Sequence, residues 1–134
     1  MGKWKPNRLV ARAALERARG ARAPMSAILE ELIERITERA MIPETESGHQ
    51  AWLELCTMAW NASRIALQGD RARDLVDEAH REACEGDPNI AAVYEWIFEI
   101  ASQKYPADRR IVTRASLRLL DEEVIVHATT RELG

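Results

Sequence analysis

The chain has 134 residues, of which 46% are hydrophobic and 31% charged, with a net charge of −3 at pH 7. That balance describes a single soluble globular domain, able to bury one proper core without disulfide staples. It excludes a membrane span, because the longest apolar run is shorter than the roughly 20 residues a bilayer needs and carries charges.

The modest net charge hides an uneven layout. Residues 1–24 hold Lys3, Lys5, Arg8, Arg12, Arg17, Arg19 and Arg22 against Glu16 alone, a net +6. The remainder holds twelve basic and twenty-one acidic residues, a net −9. The expected organisation is therefore one domain over 1–134, with a basic arm at 1–23 on an acidic body at 24–134. Two cysteines, Cys56 and Cys84, lie in apolar surroundings with no secretory signal ahead of them. They read as reduced core thiols of a cytoplasmic protein.

In chain order, residues 3–6 form a lead-in, with Trp4 the residue placed to dock. Asn7 to Arg19 has helical composition, and Lys5, Arg8, Arg12, Arg19 and Arg22 share one broad face of it. Such a face suits phosphates or an acidic partner. Met25 to Met41 is the cleanest amphipathic helix: Met25, Ile28, Leu29, Leu32, Ile33, Ile36 and Ala40 recur at helical spacing. Its apolar face is expected to be shared between the core and a second copy of the chain.

Ala51 to Leu67 is apolar nearly all the way round and is predicted to be the central helix, opened by a capping box at Ser47 to Gln50. Glu54, Thr57, Asn61 and Arg64 form its one narrow polar stripe, with Gln50 and Gln68 in line. This stripe is the candidate ligand or polar-groove site; the competing reading is a solvent-exposed strip between covering helices. Arg71 to Glu85 is amphipathic, and Pro88 to Lys104 is a second strongly apolar helix, started by Asp87 as cap and Pro88 in its first turn. Ala107 to Leu120 reads as helix from Ile111, Val112, Ala115, Leu119 and Leu120. Val124-Ile125-Val126 is β-branched, yet without a visible partner strand it is assigned to helix as well.

The fold expected is all-α, a bundle of five to six helices around two largely apolar central ones. Three Asp/Glu–His pairs at helical spacing, Glu46/His49, Asp77/His80 and Glu123/His127, echo metal-binding bundles, but ordinary surface pairing explains them and no metal is assigned. No nucleophile–base set or phosphate loop can be assembled, so neither a catalytic residue nor a cofactor is assigned. The leading functional expectation is a non-enzymatic protein–protein interaction or regulatory module, acting as a homodimer. A nucleic-acid-associated regulator using the basic arm comes second, and a ligand- or metal-binding bundle third.

Overall fold

The computed structural model describes residues 23–39, 45–120 and 123–133. The basic arm, with Lys5, Arg8, Arg12, Arg19 and Arg22, lies outside the described residues. Four helices come first, α1 (Met25–Arg39), α2 (Glu46–Ala66), α3 (Asp70–Ala83) and α4 (Pro88–Lys104). Two strands follow, β1 (Arg110–Leu120) and β2 (Glu123–Glu132), paired antiparallel.

The all-α expectation is thus overturned, and with it the helical bundle of five to six helices. The stretch expected as the last helix is β1, and the tail is its partner β2. Register explains why. Ala115, Leu117 and Leu119 alternate with Ser116 and Arg118, and they pair with Ala128, Val126 and Val124. Period-two alternation and β-branched residues suit a strand with one buried face. Neither strand had a visible partner as long as the other was counted as helix.

A bulge between Val112 and Arg114 corrects the alternation. Val112 and Leu117 stand an odd number of residues apart, yet both are buried. Without one extra residue, half the strand would point its apolar side chains at water. Thr113 occupies the bulge, and its hydroxyl donates to the Thr129 carbonyl at 3.1 Å.

The helices form where capping and periodicity place them. Thr45, two residues ahead of the expected Ser47, caps α2 by accepting from the Gly48 amide at 3.1 Å. Asp87 caps α4 by accepting from the Asn89 and Ile90 amides, with Pro88 in the first turn. Gly69, at φ +136°, makes the turn between α2 and α3 that a side chain would strain.

The core gathers around α2, which touches α1, α3, α4 and β1. Leu53, Cys56, Ala59 and Trp60 on α2 are fully buried among Ile28, Leu29, Ile33 and Ile36 of α1, Ile97 of α4 and Val124 of β2. The apolar face of α1 is consumed inside this one chain: Met25, Ile28, Leu29, Leu32, Ile33 and Ile36 are all buried. The face expected to serve a second copy is therefore already covered. Among the described residues, no helix is long and apolar enough to cross a membrane.

Candidate functional site

The polar stripe of α2 meets the chain's own strand. A two-stranded sheet leaves each strand with an outer edge of unpaired amides and carbonyls, which must be satisfied if buried. The side chains of α2 supply the partners for β1. Glu46 accepts from the Leu119 amide at 3.0 Å. Gln50 accepts from the Leu117 amide at 3.0 Å and donates to the Ala115 carbonyl at 3.4 Å. Asn61 accepts from the Val112 amide at 2.7 Å and donates to the Val112 carbonyl at 2.9 Å. The Trp60 indole donates to the Arg110 carbonyl at 2.9 Å. One side of a helix thus stands in for a third strand.

Arg64, at the end of the same stripe, is 1% exposed. Its guanidinium donates to the carbonyls of Ala101, Tyr105 and Asp108 and lies 4.6 Å from the Trp60 ring centroid. A cation at the carbonyl end of α4 is favoured by the helix dipole. Burial pulls the Arg64 pKa down, and nearby Asp108 opposes that shift. Of the remaining stripe residues, Thr57 donates back to the Leu53 carbonyl at 2.9 Å, and Glu54 is exposed, accepting from Gln50. Asn61 and Arg64 therefore converge on β1 and the turn before it, while Glu54 and Thr57 turn to their own helix.

The junction ahead of β1 is built on Asp108 and Arg110. Arg110 donates to both Asp108 carboxylate oxygens, at 3.1 and 2.7 Å, and to the Ala23 carbonyl at 2.7 Å. Burial alone would raise the Asp108 pKa, but the side-chain and backbone hydrogen bonds from Arg110 outweigh it and hold the carboxyl below its usual range. The β2 edge is held from α1, where Glu30 accepts from the Val126 amide at 3.1 Å. Burial pushes the Glu30 carboxyl up to about 7, the hydrogen bond from Val126 opposing it.

With one face on the helices and both edges engaged, the ribbon keeps its outer face. That face carries Ile111, Arg114, Ser116 and Arg118 from β1 and Glu123, Ile125, His127, Thr129 and Arg131 from β2. All are exposed except Ile111 and Ile125, which are half-buried. Arg118 lies opposite Ile125, Ser116 opposite His127 and Arg114 opposite Thr129. Among the described residues no carboxylate pairs with Arg114, Arg118 or Arg131, and the sole acid in this outward set, Glu123, stands at the hairpin end. Sequence reasoning missed this surface, because it appears only when both strands are read with period two.

Scans of family models, of characterised proteins and of solved structures each return no match.

One cleft also lies between α3 and α4. It holds about 190 Å³ and is lined by Arg73, Asp77, His80, Tyr94, Glu95 and Phe98. That is below the roughly 300 Å³ at which small-molecule pockets begin. The His80 and Tyr94 rings stack at 4.2 Å and 7°, so the imidazole fastens α3 to α4. Cys56 and Cys84 are free and buried, and burial raises both thiol pKa values, the opposite of what activates a nucleophile.

Proposed function

We propose that this chain is a small binding module whose working surface is the outer face of the hairpin and whose partner is anionic. The observation that carries the reading is the ribbon itself. Its inner face and edges serve the fold, and its free face presents Arg114, Arg118 and Arg131 unneutralised. Arginine is the residue type enriched at interfaces and suited to bidentate capture of carboxylate or phosphate. A cytoplasmic setting is consistent with the two free thiols. A second copy fits this face poorly, since two ribbons laid face to face would oppose arginine with arginine.

The test is a titration of the whole chain with two model polyanions, poly-L-glutamate and inorganic polyphosphate. At low salt at least one binds, and Arg114→Gln, Arg118→Gln and Arg131→Gln together weaken it at least tenfold. Binding of neither, or binding indifferent to the triple variant, rejects the reading.

Self-association is a second reading, favoured by the large apolar side chains left on the helices, Met58, Leu67 and Leu75, the last 61% exposed. A solution mass by light scattering tests it: a monomer at high micromolar concentration removes it, and a dimer broken by Leu75→Ser supports it.

A further inference from the structure

The anionic partner of the ribbon can be narrowed. We infer that the outer face of the hairpin binds an acidic protein segment that carries aliphatic side chains between its carboxylates, rather than a phosphate backbone. The inference rests on the ribbon being the working face and adds the class of partner.

The first argument is where the apolar side chains of the face stand. Arg118 lies directly opposite Ile125, and Arg131 directly opposite Ile111. Leu120, two residues beyond Arg118 on the same side of β1, is 48% exposed. Directly opposed residues of a hairpin lie about 5 Å apart, and outward neighbours along one strand about 7 Å. Each of these two arginines therefore has an aliphatic side chain within reach of whatever it holds. Between the two ends the face is polar, with Arg114, Ser116, His127 and Thr129. Ile125 and Arg131 are six residues apart on β2, so the mixed ends are separated by about 20 Å.

The second argument is what such a pattern can use. A phosphate backbone asks for cations and hydrogen-bond donors, and it would leave Ile111, Leu120 and Ile125 against water. Bases of a single strand stack on aromatic platforms, and among the described residues the outward positions of β1 and β2 carry no Phe, Tyr or Trp. A segment of Asp or Glu interspersed with Leu, Ile or Val uses both parts of the face. The guanidinium takes a carboxylate in a two-pronged pair, and the aliphatic groups bury each other. Glu123, the one acid on the face, stands opposite Leu120, so the end beyond Arg118 favours an apolar contact over a further anion. Salt separates the two contributions: attraction between exposed charges is screened as ionic strength rises, and apolar burial is not.

Fluorescence anisotropy on the full chain tests the inference with three labelled probes at 50 and 200 mM salt. One is a synthetic peptide repeating Glu-Glu-Leu, the second has Ser in place of each Leu, and the third is inorganic polyphosphate. At the lower salt all three are expected to bind. At the higher salt the Leu peptide should bind at least tenfold more tightly than either of the others. Leu120→Ser and Ile125→Ser together should remove that advantage while leaving the Ser peptide's affinity at low salt unchanged. Leu120→Ser alone, at an exposed position, should already reduce it at an unchanged circular-dichroism spectrum, and Leu75→Ser on α3 should not. Arg114→Gln, Arg118→Gln and Arg131→Gln together should weaken all three probes. Equal affinity for the two peptides at high salt overturns the inference, as does polyphosphate binding more tightly than both. So does an advantage of the Leu peptide that Leu75→Ser removes and the ribbon variants do not. Each of these results leaves the anionic-partner reading intact as long as the arginine variant weakens binding. Binding of no probe, or binding indifferent to that variant, removes both.

Discussion

Asn61 makes one main-chain amide and one main-chain carbonyl of β1 behave as if a neighbouring strand were present. Replacing it by Leu keeps the volume but leaves both half-buried groups of Val112 unpaired. Each unsatisfied group costs about 1–3 kcal/mol, and exposure to water lowers that, so a loss of about 2–3 kcal/mol is expected in urea denaturation. An unchanged midpoint would show that water replaces the amide at no cost. Trp60 combines full burial with its own bond to the Arg110 carbonyl. Trp60→Ala should cost about 3–5 kcal/mol, the usual range for emptying a buried aromatic site. Glu30 makes a prediction with a sign. Its carboxyl titrates near 7 in the fold against 4.5 for the free group. The fold thus prefers the protonated form, so this contribution is complete below about 4.5 and is lost as pH rises from 4.5 through 7. Asp108 acts in the opposite sense: its lowered pKa gives stability that disappears as pH falls below the ordinary Asp value of 3.8. Melting temperatures of Glu30→Gln and the parent should therefore converge near pH 4.5 and separate above pH 7, the variant being the more stable. A constant difference across that range would remove Glu30 as the titrating group.

At the scale of elements, the helices could be read from the sequence and the hairpin could not. Asp87-Pro88 marks the start of α4, and the spacing of Ile28, Leu32 and Ile36 marks the buried face of α1, because helical signals are local. The hairpin depends on two segments read together. Ala115-Ser116-Leu117-Arg118-Leu119 alternates cleanly, but Ile111, Val112, Ala115 and Leu119 also fit one side of a helix, and the bulge at Thr113 breaks the period that would have decided it. The connection is no help: residues 121 and 122 are Asp and Glu, not the Asn-Gly or Asp-Gly pair that announces a tight hairpin. The stripe of Glu54, Thr57, Asn61 and Arg64 was legible as a polar line on an apolar helix. What occupies it was not, since the occupant is a strand some fifty residues downstream. The covered face of α1 also changes an expectation. Leu32→Ser should destabilise the single chain by about 2–5 kcal/mol. The urea midpoint reads this directly, and it should fall equally at low and high protein concentration.

The whole molecule divides labour between its two sides. The helices bury the core and carry most of the acid; the ribbon, bound to them by its inner face and both edges, carries unpaired arginines on the side it leaves open. Gln50 and Asn61 engage the β1 edge and Glu30 holds the β2 edge at Val126, so the side of the hairpin left open offers side chains. Under the proposed reading, binding is confined to that face. The most direct measurement is a backbone amide NMR titration of the full chain with inorganic polyphosphate at low salt. The account predicts shift changes at Arg114, Ser116, Arg118, Ile125, His127, Thr129 and Arg131, with α3 and the exposed side of α4 unmoved. Changes concentrated on α3 and α4 with the ribbon silent would contradict it.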